Sequence, residues 1–383
     1  MMKRILILGG GFGGLVVAEK LSKKFAGKHE ITLVSPHRTF TFYPGLVRLA
    51  FGELQEKDVT FDLAKKLRSL NVRFIEGEVL HMKPELKRVQ IAGKDVNGNV
   101  SYDYLVIAIG RRLATEKIPG LFEYAHHLLG IRAAKKFGEA VKAFDQGNIV
   151  VALGPEARLP VPVCETAFAL SRVVKDSPTK PSKITVVFPE DVKDVFGGAA
   201  IYGKLKEAFD NHGIELIENM QISEVTAKEV IAYDGRALPY DLVMLVPSFR
   251  GRARFSENGI TDEENFVQVD EYLRVKGLDG IYAVGDIASF LGPKLAHIAV
   301  GQARVAAENL AMELNGEEPD KVYFHEIASI IDEGGGDSIY LHFGVWDQSL
   351  YRLKTGTVWS LIKRVHDKLW TARHEKTWID LGA

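Results

Sequence analysis

The chain has 383 residues, is 46% hydrophobic, and carries 49 basic against 50 acidic residues for a formal net charge of −1. That length allows about two to three domains with full cores, and the even charge balance gives no global attraction to nucleic acid, so any basic patch is local. A single cysteine, Cys164, excludes an intrachain disulfide and every C-x-x-C redox or zinc arrangement. No uninterrupted apolar stretch reaches the ~18 to 20 residues that cross a bilayer, so any membrane contact is expected to be peripheral.

The apolar run Arg4 to Leu8 leads straight into Gly9-Gly10-Gly11-Phe12-Gly13-Gly14, and Leu15 to Leu21 then reads as a helix. A strand, a G-x-G-x-x-G turn and a helix together form a dinucleotide-binding signature. Gly9 permits the tight turn, Gly11 lets backbone amides approach a pyrophosphate, and Gly14 lets helix and strand pack closely. A secretory signal would also place Lys3-Arg4 before an uncharged run, but five glycines in six positions suit a signal core badly and no A-x-A cleavage site follows. Glu30 to Ser35 reads as the second strand, ended by Pro36. Ser35 stands where an acid normally holds the adenosine ribose, and its hydroxyl is a weaker substitute for a carboxylate. Phe40 and Phe42 are expected in the core. Val72 to Val79 forms another strand and turn, and Tyr102 to Gly110, through Ala108, a buried strand ending in glycine.

The sequence divides into residues 1–112, the first part of a flavin-binding domain; 113–247, a second Rossmann-like α/β unit; 248–325, the return of the first domain; and 326–383, a C-terminal segment of different character. In the third part Gly280 to Asp286 repeats the strand-then-glycine pattern with an acid at its tip. The glycine loop and this second tip describe a flavin site, with FAD as the expected cofactor. The fold class is α/β with two Rossmann-type domains of the disulfide-reductase kind plus a C-terminal amphipathic segment. Lys294-Leu295-Ala296-His297 precede a helix from Ile298 to Asn315, whose positive end together with Lys294 would stabilise a reduced flavin. His297 is expected to cap that helix. No cysteine lies in the aromatic loop to attach a flavin, and His37 is the nearby nitrogen, so noncovalent binding is expected.

These landmarks, with Pro247-Ser248-Phe249-Arg250-Gly251, Asp270-Glu271-Tyr272-Leu273 and Trp359 to Trp370, resemble in order the sulfide:quinone oxidoreductase branch of the flavoproteins. That group also holds flavocytochrome c sulfide dehydrogenases and type II NADH dehydrogenases. The resemblance implies an FAD-dependent oxidoreductase that passes electrons to quinone from a small-molecule or protein donor. It implies Asp286 as acceptor for the ribityl hydroxyls, Tyr43-Pro44-Gly45 as the loop over the flavin, and Glu165 as a proton-moving carboxylate, although a carboxylate in a helix's first turn is also favourable for its own sake. The branch's two redox cysteines would fall at Leu159 and near Ile330 or Ile331, all aliphatic here, and an aliphatic side chain cannot replace a thiolate nucleophile. Cys164, near a helix start that would lower a thiol pKa, is either reactive or a small space-filling residue. A nicotinamide cradle after Val151 is eroded to Ala152-Leu153-Gly154-Pro155-Glu156, where Pro155 lacks an amide donor and Glu156 opposes a pyrophosphate. A type II NADH dehydrogenase or a flavin-carrying subunit without its own substrate is the alternative.

The expected cofactor contacts are Gly9, Gly11, Phe12, Gly13, Gly14, Ser35, Pro36, Tyr43, Pro44, Val79, Ala108, Gly110, Gly285, Asp286, Lys294, Ala296 and His297; the candidate catalytic residues are Glu165, Lys294 and Cys164. Tyr351 to Lys376 has five more basic than acidic residues, with Trp359, Leu361, Ile362, Val365, Leu369 and Trp370 at mostly helical spacings. This amphipathic, basic pattern fits a helix lying on a cytoplasmic membrane face, with quinone entering near Tyr340, Phe343 and Trp346. A homodimer contact or a docked protein would show the same pattern.

Overall fold

The computed structural model describes residues 1–94, 96–175, 181–334 and 338–375. Its first sheet has seven strands: β1 (Arg4–Leu8), β2 (Glu30–Ser35), β3 (Arg73–Lys83), β4 (Arg88–Gly93), β5 (Asn97–Ser101), β6 (Tyr104–Ile107) and, far along the chain, Ile281–Ala283. The last of these lies at one edge beside β6, and the order continues β1, β2, β3, β4, β5. The five strands from that edge to β3 are parallel, and β3, β4 and β5 pair antiparallel. Ile5 to Leu8 are each no more than 1% exposed, which is why β1 reads as a continuous apolar run: both faces of the sheet are covered. Helix α1 (Phe12–Phe25) buries Val16, Val17, Leu21 and Phe25 against it.

The second lobe repeats the plan on a smaller scale. Its parallel sheet comprises β7 (Gly147–Leu153), β8 (Ser182–Val187), β9 (Ile214–Ile217) and β10 (Leu242–Val246) in the order β9, β8, β7, β10, and α2 (Val161–Lys175) packs on β7 and β8. The chain then returns to the first sheet at Ile281–Ala283, here β11, and continues into α3 (Ala296–Leu314), which lies against α1. A three-stranded antiparallel sheet follows, β12 (Glu326–Ile331), β13 (Ser338–Gly344) and β14 (Tyr351–Gly356), and α4 (Thr357–Glu375) closes the described chain.

Two details of the C-terminal segment correct the sequence reading. The stretch from Tyr351 is not helical throughout, because Tyr351–Gly356 pairs with β13 and the helix begins at Thr357. The tryptophans do not share the outer face of α4. Trp359 stacks on Tyr340 at 4.2 Å, and Trp370 packs on Phe12, Phe40 and Phe42 at 4.8, 5.5 and 5.2 Å. The exposed stripe is aliphatic instead: Val358, Leu361, Ile362, Val365 and Leu369. Ser360, Lys363, Asp367, Trp370 and His374, spaced three and four apart, form the inward seam. Lys376 lies outside the described residues.

Candidate active-site cleft

A cleft of about 640 Å³ runs across the carboxyl ends of the first sheet, the crevice in which open α/β sheets bind their ligands. In strand order it passes Glu78 and Val79 on β3, Ser35 and Pro36 after β2, the glycine loop after β1, Ala108 and Gly110 after β6, and Gly285 and Asp286 after β11. It ends on Lys294, Ala296, Leu159, Pro162, Glu165 and Lys363, with Tyr43 and Pro44 at its rim.

The glycine loop tests whether a dinucleotide fits. A Cβ on Gly9, whose φ is +108°, would lie 2.1 Å from the Ala108 carbonyl, and one on Gly14 would lie 1.9 Å from the Gly9 carbonyl. Backbone atoms cannot yield there, so both positions require glycine. A Cβ on Gly11 would meet nothing within 4 Å. The first intrahelical bond runs from the Leu15 N–H to the Gly11 carbonyl at 3.0 Å, leaving the amides of Phe12 to Gly14 without intrahelical partners at an open helix start. Gly9, Gly11, Phe12 and Gly13 line the cleft, whereas Gly14 serves the strand–helix packing behind it. The residues fit a diphosphate-bridged dinucleotide.

Near β11, the Asp286 carboxylate pairs with Arg111 Nε at 3.4 Å, and the Arg111 guanidinium lies 3.7 Å above the Phe249 ring. Lys294 is buried, donates to the Ala288 carbonyl at 2.7 Å and sits 4.4 Å from the Phe266 ring centre. Burial pulls its ammonium down to about 7, against the opposing pull of Asp286. His297 corrects the sequence reading. Leu295 occupies the cap position, and the imidazole accepts from the Ala328 N–H at 2.9 Å, tying α3 to β12 away from the cleft. Burial takes that ring to about 4, so it is neutral.

At the far end Glu165 of α2 forms a buried ion pair with Lys363 of α4 and accepts from the Asp332 N–H at 2.9 Å. Lys363 also donates to the Ile330 carbonyl at 3.1 Å. Burial pushes the Glu165 carboxyl up even against Lys363; burial works downward on Lys363, but Glu165 and Asp367 outweigh it and hold the ammonium up. Asp332 accepts from Ser360 at 2.9 Å and from the Gly334 N–H at 2.8 Å, fixing α4 to the loop after β12. Leu159 lines the cleft, and Ile330 reaches this cluster through its backbone. Cys164 does not line the cleft. It is fully buried, and burial followed by the neighbouring Glu165 charge pushes its thiol well above the usual range, so the helix start does not activate it.

Lys363, Arg111 and Arg252 also line the cleft, and the sequence reading missed all three. No sequence signal marked Lys363, because polar residues recurring at helical spacing, such as Ser360, Lys363, Asp367 and His374, ordinarily form a solvated face. In the second lobe, the loop after β7 carries Glu156 at φ +57°, ion-paired with Lys117 and with Arg250 at 2.9 Å.

Fold and cleft together define a protein of two Rossmann-type dinucleotide folds whose first carries a cleft that fits a diphosphate-bridged dinucleotide. The chain belongs to the pyridine nucleotide-disulphide oxidoreductase family, which matches residues 3–303. It is 26% identical over 324 residues to the mitochondrial external alternative NAD(P)H-ubiquinone oxidoreductase B1 of Solanum tuberosum, covering 75% of this chain and 55%, about half, of that protein's length. The mitochondrial sulfide:quinone oxidoreductase of Mus musculus is 23% identical over 336 residues, covering 83% of this chain and 73% of the mouse protein. Among solved structures, the sulfide:quinone oxidoreductase of Aquifex aeolicus superposes with a TM-score of 0.90 at 22% identity, covering 97% of this chain and 91% of that one.

Proposed function

We propose that this protein is a membrane-associated, FAD-dependent quinone reductase whose electron donor is not a nicotinamide nucleotide. One observation carries the reading. Helix α4 supplies Lys363 to the flavin end of the cleft on one face and presents an exposed aliphatic stripe, Val358 to Leu369, on the other. A cleft closed by such a helix suits an acceptor that arrives from lipid, with Lys368 beside the stripe toward anionic headgroups on the cytoplasmic face. Among the described residues no helix is long and apolar enough to cross a membrane.

In this reading residues 1–112 and 248–325 hold FAD, 113–247 form the second lobe and 326–383 face the membrane. Bound there, FAD would supply the two-electron chemistry that links donor to quinone. The amides of the glycine loop would hold its diphosphate, and Val79, Ser35 and Pro36 would border the adenosine. Ala108, Gly110, Gly285 and Asp286 would hold the ribityl chain, Tyr43 and Pro44 would cover the ring, and Ala296 and Lys294 would serve its pyrimidine end. A cation at Lys294 favours the charge that reduction adds. Glu165, paired with Lys363 in a buried site, holds or gives up the proton that quinone reduction needs. The donor reading is supported by Glu156, whose carboxylate, fixed by Lys117 and Arg250, lies on the loop where a second pyrophosphate would sit.

The test is anaerobic titration of the purified yellow protein with sulfide, polysulfide, NADH and NADPH, and separately reoxidation of the dithionite-reduced protein by a short-chain ubiquinone. The expected result is no bleaching by either nicotinamide and fast reoxidation by the quinone. Bleaching by NADH would establish a type II NADH dehydrogenase instead; colourless protein that refuses flavin would remove the reading altogether.

A further inference from the structure

The ribose-facing acid of a dinucleotide fold is absent here, and its replacement is already committed. Ser35 Oγ donates to the His37 carbonyl at 3.1 Å and accepts from the His37 N–H at 3.3 Å, so the hydroxyl closes a local turn. The β2 side of the cleft therefore offers the adenosine no carboxylate, and only a hydroxyl that is used elsewhere.

The wall near β3 carries the opposite charge. Arg252 follows Gly251 on the chain that returns from the second lobe, and it lines the cleft with Glu78, Val79 and Arg254. Gly251 fixes its place, because a Cβ there would lie 1.7 Å from the Asn265 carbonyl. The neighbouring arginines are satisfied: Arg254 bonds Glu78 at 2.8 Å, and Arg250 pairs with Glu156 and Glu264. Arg252 is not. Its Nε is buried without a hydrogen-bond partner, and its guanidinium makes no ion pair among the described residues. Burial, then the adjacent Arg254 charge, holds the group below its ordinary value. The nearby carboxylate that favours its charge, Glu78, is already bonded to Arg254, and a half-buried cation facing a cleft with no partner of its own is costly unless a ligand supplies one.

We propose that Arg252 grips the AMP half of FAD, its planar guanidinium donating to the adenosine phosphate or base and so replacing the hold that Ser35 has given up. This rests on the FAD reading. A charge-assisted hydrogen bond from a fixed, planar donor discriminates by geometry as well as charge, which lysine cannot reproduce.

The test measures binding by flavin fluorescence. Flavin-free wild type, Arg252→Met and Arg252→Lys are titrated with FAD, and ADP serves as competitor for the AMP half. Arg252→Met is expected to raise the Kd of FAD and of ADP by the same factor, about tenfold or more, and the lysine variant to recover part of it. The flavin-free methionine variant is expected to melt no lower than wild type, since it removes an unpaired buried charge. FAD binding within twofold of wild type would overturn the proposal. So would weakened FAD with unchanged ADP, which would place Arg252 at the flavin half. Wild type that binds ADP but no FAD would instead sink the FAD reading itself.

Discussion

Two loops at equivalent places in the two lobes have opposite electrostatics. Each follows a buried strand at the centre of a parallel sheet, β1 in one case and β7 in the other, and each leads toward a helix. After β1 the backbone is stripped of side chains, helix amides lie open, and nothing stands within 4 Å of where a Gly11 Cβ would be. After β7 the turn has a single glycine and a proline, and Glu156 is held there by Lys117 and Arg250. The first loop is an anion site and the second already contains its anion. In the proposed reading one scaffold repeated twice makes one nucleotide site, and the difference is decided by a few loop residues rather than by the sheets beneath them.

The largest effect expected comes from making the first loop resemble the second. Gly11→Glu adds a side chain where there is room, so folding survives, but it sets a carboxylate against the flavin diphosphate. FAD affinity is expected to fall by about two orders of magnitude or more, read as the loss of the 450 nm band from purified protein with unchanged far-UV circular dichroism. Retention of the band would mean that the diphosphate does not lie on this loop.

Next in size is the ion pair that ties α2 to α4. Glu165→Gln leaves Lys363 buried with half its partner gone, and unfolding free energy is expected to drop by about 3 kcal/mol. Glu165→Gln with Lys363→Met is expected to recover most of that loss, because both charges are then absent. Urea unfolding of the three proteins checks it; a single variant as stable as wild type would show that α4 does not dock through Lys363 in solution.

What could be read from the chain and what could not divide along the same line. The strand at Arg4 to Leu8, the turn glycines and the erosion after β7 are local demands: buried parallel strands need apolar runs, and a turn with positive φ needs glycine. The burial of Lys363 and the solitary state of Arg252 are products of tertiary placement. Rotating α4 about its axis until its polar seam faces inward moves Lys363 from a lipid-facing lysine to the partner of Glu165, and composition carries no trace of the angle. His297 misled for a similar reason. A histidine at a helix start suits a cap, but β12 offered an amide that the ring accepts instead.

A smaller effect tests the flavin end. Lys294 has its folded value lowered to about 7 from an ordinary 10.5 by burial. The unfolded chain therefore binds more protons between those limits, and stability contributed at this site rises with pH across that window. Below about pH 7 the full burial cost is present. Flavin-free Lys294→Met is thus expected to melt higher than wild type at pH 6 and to lose that advantage as the pH approaches 10.5. With flavin bound, the same variant is expected to lower the two-electron midpoint potential by about 30 mV at pH 6, and by less at pH 8, where Lys294 is mostly neutral. An unchanged potential at pH 6 would mean that Lys294 does not sense the reduced ring.

The smallest effect concerns Cys164. The residue is three positions into α2, where amide dipoles favour a thiolate, yet it has no exposed surface, and burial together with the adjacent Glu165 charge outweighs those dipoles. The sulfur therefore fills space as a small apolar group. Cys164→Ala leaves a slight void and is expected to cost about 1 kcal/mol of stability, with flavin reduction and reoxidation unchanged. In native protein the thiol is expected to resist an aromatic disulfide reagent for hours and to react fully once urea unfolds the chain. Prompt labelling of the folded protein would give this cysteine a route to solvent, and with it the reactivity that its packing denies.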